Sequence, residues 1–363
     1  VLRWQTGGVQ AEPGVGANPG PHSIRLARPG LGDAAAPAGA ARSAGGAGAV
    51  LAAAALWGST GTVAHFAPRG VSPISIGAAR IVVAGLILVL IALGSRPADA
   101  AEDSRRGGEF RRLLAVRGAD RTALVLGGVA VAGYQICFFS AVRLTGVAIG
   151  TVVAIGSGPV FTGLISRMTG AAPLSARWIA ATAGAITGCS ILLAGGRTAG
   201  VQLTGAGLAV VAGLCYACYA VAAAGLITRG RSERSVMAIM FGGGGLVLLP
   251  VLLTGPIGWL LSVRGAAVIL ELSVLATAVA YLLYGYGLRT VQAPVAVTLG
   301  LAEPAVASLL AVIVLGERLT GTAAAGLLLV GLALVVLVIP GRREPRTARS
   351  VRRMPDRDRR PAA

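Results

Sequence analysis

Residues Tyr281 to Pro340 read YLLYGYGLRTVQAPVAVTLGLAEPAVASLLAVIVLGERLTGTAAAGLLLVGLALVVLVIP. Two apolar runs, Ala293 to Leu315 and Gly321 to Ile339, are each about the 20 residues that a helix needs to cross ~30 Å of hydrocarbon. Only the turn Gly316-Glu317-Arg318-Leu319-Thr320 separates them. Glu303 stands in the middle of the first run beside Pro304, which places an ionisable group and a missing backbone donor at one depth. Two adjacent spans joined by a tight turn predict an all-α polytopic membrane protein.

The whole chain agrees. Its 363 residues are 55% hydrophobic and 13% charged, and its mean hydropathy is +0.77. That is too apolar for a soluble protein of this length. The net charge of +18 comes from 32 basic residues, all arginine, that fall in tails and connections rather than on one folded face. This excludes a nucleic-acid partner and predicts a lipid bilayer around the chain, with arginine marking the cytoplasmic connections. The four cysteines lie in apolar runs, and Cys215-x-x-Cys218 has no second ligand pair and no nearby histidine, so no metal or other cofactor is expected.

Residues 1–48, rich in Gly, Pro, Ala and Arg, read as a disordered cytoplasmic tail. Spans are predicted at 49–66, 72–94, 122–142, 146–166, 176–194, 203–227, 236–254, 266–288, 293–315 and 321–339. Residues 95–121, with seven arginines and five acids, form a cytoplasmic loop, and 341–363 form an Arg-rich cytoplasmic tail. With both termini inside, 26 arginines face the cytoplasm and five the outside, and Arg80 lies in the membrane. That asymmetry orients the chain in a plasma (inner) membrane. Trp178 and Trp259, near span ends, fit interfacial anchors.

Sliding the chain on itself by 145 residues lays Thr145 on Thr290, Pro159 on Pro304, Leu174 on Leu319 and Ser175 on Thr320. A slide of 159 lays Trp57 on Tyr216. Residues 49–194 and 203–339 are therefore related five-helix copies, and an odd helix number inverts the second copy relative to the first. The fourth and ninth spans carry Gly156-Ser157-Gly158-Pro159 and Gly300-Leu301-Ala302-Glu303-Pro304, so helix breaks are expected at Pro159 and Pro304. The copies differ where Glu303 meets Gly158 and Glu317 meets Ala172.

An aromatic-rich helix (Tyr281, Tyr284, Tyr286), the Ala293-Pro294 entry, Glu303-Pro304 and the turn 316–320 before a Gly-rich last helix, taken in this order, resemble the carboxy-terminal half of the drug/metabolite transporter superfamily, EamA type. Leu56-Trp57-Gly58-Ser59 resembles the first-helix motif of that family. The resemblance implies ten transmembrane helices in two halves, a central cavity, and movement of small metabolites or drugs. It places Tyr134, Gln135, Ser157, Tyr281 and Tyr284 around the cavity, with Trp57 similar. Each of these aromatic and polar groups could equally be interhelix packing.

Arg80 lies about two turns, or ~10 Å, inside the outer end of its helix. An arginine at depth costs about 2.5 to 3.5 kcal/mol on insertion scales and must find an anion. That anion is either a substrate carboxylate or phosphate, or a permanent partner, Glu303 or Glu271. Glu303 is either a proton-coupling site, because exclusion of water favours the neutral form of a carboxyl, or a structural carboxylate. Glu271 could be simply exposed, His65 reads as a surface residue, and Glu317 reads as organising its turn. Gly242 to Gly245 and the Gly184, Gly188 pair permit close helix approach.

The expected function is a secondary transporter, an exporter of small organic metabolites such as amino acids, that works by alternating access without a nucleotide-binding motif. A multidrug exporter of the same superfamily is one alternative, and a non-transporting membrane scaffold that uses the tail 341–363 is another. With two histidines in the chain, an embedded enzyme is not expected. The oligomeric state is not set by the sequence.

Overall fold

The computed structural model describes residues 35–94, 109–171, 173–193, 202–316 and 318–339. The chain divides into two units, residues 1–39 and 40–363. Of the first only the opening turn of a helix is described, and the helical bundle belongs to the second.

Ten helices are long and apolar enough to cross a membrane. They are α1 (Ala35–His65), α2 (Pro73–Gly94), α3 (Ala119–Thr145), α4 (Val147–Met168), α5 (Ala176–Leu193), α6 (Leu203–Thr228), α7 (Glu233–Leu253), α8 (Val263–Gly287), α9 (Ala293–Leu315) and α10 (Gly321–Val338). No strand occurs among the described residues. The start of α1 and the end of α10 therefore share one end of the bundle, called here the terminal end. The expected tail over 1–48 is helical across its last residues, because the Ala-rich sequence from Ala35 onward has high helix propensity. Its membrane-length apolar part begins at Ser43. Residues 109–114, expected in a loop, form a short helix. Most of that loop and the tail 341–363 lie outside the described residues.

Outward faces carry large apolar side chains, among them Leu86 and Leu90, Leu126 and Val129, and Leu328 and Leu332, all exposed. In water this would be a liability. In a bilayer these side chains meet acyl chains. Inward faces carry small residues such as Ala79, Ala84, Ala212, Ala217 and Ala220, all fully buried.

The largest helix contacts are α3 on α6, α2 on α7, α5 on α10 and α4 on α6. Two of these pair helix n with helix n+5, and α4 also meets the first half of α9, as two related copies require. The internal repeat is visible in atoms at one cap. Ser175 Oγ accepts from Trp178 N (3.1 Å) at the start of α5, and Thr320 Oγ1 accepts from Ala323 N (3.2 Å) at the start of α10. Each hydroxyl thus satisfies an orphan donor of its helix. Between α9 and α10, Gly316 adopts a left-handed conformation (φ 71°) that closes α9. Glu317 lies outside the described residues.

Glycines let backbones touch. A Cβ on Gly85 would stand 2.6 Å from the Phe241 carbonyl oxygen of α7, and one on Gly245 would stand 3.2 Å from that of Ile81 of α2. A Cβ on Gly188 would meet Val330 N at 2.8 Å and Gly326 O at 2.9 Å, whereas one on Gly184 meets only Ala333 Cβ at an ordinary 3.5 Å. The expected packing glycines are thus packing glycines between helices of this chain. Trp178, expected at the interface, is instead buried, and its Nε1 donates to Thr298 Oγ1 (3.1 Å) because Gly163 leaves room for the indole.

Gly188→Ala is expected to lower the melting temperature of the purified protein in detergent, through overpacking worth about 1–3 kcal/mol. Gly184→Ala should leave it unchanged or raise it, since alanine is the better helix former. Equal melting temperatures for both variants would mean that α5 and α10 are not held at this distance.

Candidate functional site

Two copies packed in this way bring the middles of α1, α2, α3, α6, α8 and α9 together. The local reasons differ from helix to helix. In α8 the backbone widens into a π-helical stretch, Val274–Val279, where buried Thr277 donates its hydroxyl to Leu272 O five residues back (2.7 Å). Such stretches are rare and collect at functional sites. In α9 the helix stops at Leu299 and restarts at Ala302, so the expected break next to Pro304 is present. The Gly300 carbonyl, which Pro304 cannot serve, accepts from Glu303 N instead (2.9 Å). The break expected at Pro159 is absent, and α4 winds through it from Val147 to Met168. A single missing donor costs one hydrogen bond, and the helix on either side is held by packing against α6 and α9.

The core of the site is aromatic. Trp57 of α1 lies 5.1 Å from the Tyr281 ring and 5.4 Å from the Tyr284 ring of α8. Tyr281 stacks at a tilt on Phe241 of α7 (4.0 Å), and its hydroxyl is 3.0 Å from that of Tyr219 of α6. Tyr216 joins Tyr219 (5.2 Å) to Tyr134 of α3 (6.1 Å). Gly300, at the break in α9, abuts this cluster, since a Cβ there would lie 2.9 Å from the Tyr216 hydroxyl. The Tyr216 and Tyr284 hydroxyls face each other without a well-formed hydrogen bond. Trp57 Nε1 is buried without a partner.

Charges sit against the rings. Arg80 is near enough to Tyr134, Glu271, Tyr281 and Glu303 to interact with each electrostatically. Among the described residues no carboxylate lies within ion-pair distance of it, and its Nε is buried without a hydrogen bond. The permanent ion pair with Glu303 or Glu271 is therefore not formed. Glu303 is half-buried, as is Tyr134, while Cys189, Tyr216 and Tyr281 near it are buried. Glu271 is not freely exposed. It is half-buried, Ser59 Oγ lies 2.8 Å from its Oε1, and its Oε2 is buried with no partner.

Trp57, Arg80, Tyr281, Tyr284 and Glu303 thus gather at one place. Gln135 is buried in α3 with its Oε1 unpartnered, but no contact joins it to the cluster. Ser157 is turned to the α4 and α6 contact, against Gly213, where its hydroxyl bonds Ala154 O (3.2 Å). Sequence reasoning missed Tyr219 and Phe241. The signal available for Tyr219 was its spacing of three from Tyr216, which puts both on one face of α6.

A second group of charges, also missed, lies at the terminal end. Asp120 at the start of α3 binds Arg231 (2.7 Å) and Arg229 (3.2 Å) of the α6 to α7 connection. Glu233 pairs with Arg289 (3.6 Å), and Glu109 Oε1 accepts from Ser232 N (2.6 Å). Glu109, Arg231, Ser232, Glu233 and Arg289 of this group border a cavity of about 480 Å³ that Arg234 also lines. All three ion pairs among the described residues are at this end. Arg177 of α5 donates from Nε to the Val336 carbonyl (2.7 Å) and also reaches that of Ile339, closing the last turn of α10. The described residues contain no cluster of three potential metal ligands, and all four cysteines are free.

The EamA-like transporter family matches residues 44–194 and 203–339, the two copies in turn. The uncharacterized transporter YwfM of Bacillus subtilis (strain 168) is 34% identical over 296 residues, covering 81% of this chain and 94% of that protein. A solved crystal structure of a protein superposes with a TM-score of 0.65 at 20% identity, covering 80% of this chain and 95% of the other. At that identity the likeness concerns the fold.

Tyr219→Phe is expected to lower stability by about 1–3 kcal/mol, because it leaves the Tyr281 hydroxyl buried and unpaired. The double variant Tyr219→Phe, Tyr281→Phe should recover much of that loss, since both polar atoms are then gone. Thermal melts of the three proteins measure the difference.

Proposed function

The chain belongs to the EamA-like transporter family, and on that premise we propose that it is a secondary transporter that exports small organic metabolites such as amino acids by alternating access. It is a multi-pass membrane transporter rather than an enzyme. The observation that carries the finer reading is Arg80, a half-buried cation whose Nε is enclosed without a partner near the aromatic cluster. A cation at depth without an anion is costly. A substrate carboxylate or phosphate would relieve that cost, using the planar fork of donors. Trp57, Tyr281 and Tyr284 would enclose the apolar part of the solute. Gln135 and Ser157 would enter the path only in another conformation.

Glu303 is assigned as the coupling carboxylate. It is half-buried near Arg80, where it could exchange a proton with water that follows the substrate. The charge pairs at the terminal end support a state closed on that side, in which Asp120 ties α3 to the α6 and α7 connection. Opening would exchange these pairs for water, and surface pairs of this kind cost little to break, about 0–1 kcal/mol each. The arginine distribution supports a plasma-membrane orientation with the terminal end cytoplasmic, flanked by tails over 1–48 and 341–363. The tail 341–363, and with it the scaffold alternative, lies outside the described residues.

The aromatic cluster also favours a second reading. Five or more rings beside a carboxylate suit a lipophilic organic cation, so a multidrug exporter is the alternative within this class. The two readings ask opposite things of Arg80, because an arginine in the path repels a cation and holds an anion.

Cells that make the intact chain, an Arg80→Ala variant at matched membrane level, or neither should differ in the solutes they release. Anionic or zwitterionic metabolites are expected outside only with the intact chain. Release of organic cations that survives or rises in Arg80→Ala would favour the multidrug reading, and no difference from cells without the chain would remove export.

A further inference from the structure

The short helix 109–114, with the sequence Glu-Phe-Arg-Arg-Leu-Leu, lies at the terminal end between α2 and α3. One side of it is pinned to the bundle. Phe110 and Leu113 are buried in the hydrophobic core, and Glu109 Oε1 accepts from Ser232 N at the start of α7 (2.6 Å). The other side is bare. Arg111 and Arg112 are exposed, as are Arg117, before the turn at Gly118, and Arg121, in the first turn of α3. None of these four arginines makes an ion pair or a side-chain hydrogen bond within the described residues. The acids nearest to them in sequence are already engaged, Glu109 with Ser232 N and Asp120 with Arg229 and Arg231.

Apolar exposure begins at the same place. Leu114 is 61% exposed, and Val125 and Leu126 of α3 are 55% and 58% exposed. The membrane-length stretch of α3 starts at Ala119, so Val125 stands roughly 9 Å along the helix from that start. Arginines at one level with bare apolar side chains beside and beyond them suit the boundary of a bilayer, where guanidinium groups reach phosphates and apolar groups meet acyl chains.

We propose that the outer side of the helix 109–114 is a binding surface for anionic phospholipid headgroups, centred on Arg111 and Arg112 and extended by Arg117 and Arg121. A headgroup phosphate supplies an anion at the depth of these side chains, and a planar guanidinium can meet two of its oxygens at once. A zwitterionic headgroup brings its own cation, so net-anionic lipid is preferred. Since Glu109, Phe110 and Leu113 fasten the same helix to the bundle, lipid bound outside stabilises its contact with α7. The surface goes beyond the transport reading and depends neither on the solute nor on its direction.

The test places the full chain in vesicles of phosphatidylcholine alone or of equal parts phosphatidylcholine and phosphatidylglycerol, and follows amide hydrogen exchange over 109–114. Protection should rise in the mixed vesicles by about fivefold for each arginine that reaches the surface, and should fall back as salt is added. The double variant Arg111→Gln, Arg112→Gln should lose most of this gain, while Arg111→Lys, Arg112→Lys should keep it. Arg69→Gln, at the opposite end of the bundle, should behave as the intact chain. The substituted side chains are exposed, and the variants are compared at matched melting temperature. Equal protection in the two kinds of vesicle, or an undiminished gain in the double glutamine variant, would overturn the lipid surface and leave four solvated arginines. Protection by glycerol phosphate in neutral vesicles as strong as that by lipid would overturn it in favour of a soluble anion. Solute flux through the same vesicles reports separately on transport: lipid-dependent protection without flux would uphold the surface and count against transport alone.

Discussion

Lipid offers helices no hydrophobic reason to leave it, so this bundle depends on how closely its backbones can approach. The contacts between α2 and α7 and between α5 and α10 are built where one glycine faces a carbonyl or amide of the other helix. At those points dispersion and dipole contacts replace what burial of leucine supplies in water. The large side chains are accordingly sent outward, and alanine and glycine are kept within. The two glycine seams join the copies across the pseudo-symmetry, α2 to α7 and α5 to α10. The tyrosines and charges gather between the middles of α1, α3, α6, α8 and α9.

The same constraint explains why the polar groups gather. A tyrosine hydroxyl or carboxylate facing lipid would cost several kcal/mol, whereas in the middle of the bundle it can meet others of its kind. The Tyr219 and Tyr281 pair does so fully. Arg80, Glu271 and Trp57 do so only in part, each leaving a buried atom without a partner.

Much of this architecture was legible because it is written in one dimension. Apolar length marks the spans, and Ser175 and Thr320 are recognisable as equivalents because a cap is a local event of three residues. Pairing across the site is another matter. Nothing in the sequence around Phe241 says that it meets Tyr281, since they are forty residues apart and a lipid-facing phenylalanine would read the same. Pro159 and Pro304 look alike in sequence, yet only the second stands beside a break. There Gly300 and Leu301 give the chain room to leave the helix against Tyr216, while Gly158 remains helical under the same ring. The arginines of the connections were legible as a topological count. That Asp120 would gather two of them depended on the fold of the α6 to α7 turn.

The first helix shows how a short motif can gain meaning from three directions. In Leu56-Trp57-Gly58-Ser59, consecutive residues point about 100° apart around the helix, so each meets a different neighbour. Trp57 faces the tyrosines of α8. Gly58 lets α9 approach, since a Cβ there would lie 2.8 Å from Val306 and 3.0 Å from the Glu303 carbonyl. Ser59 reaches Glu271. A larger residue at position 58 would push away the segment that carries Glu303 and so disturb a carboxylate it never touches. One turn of α1 thus sets the distance between the broken helix, the aromatic wall and the Glu271 carboxylate. A rigid shift of α1 would move all three contacts at once, so this turn couples the position of α1 to α8 and α9 together.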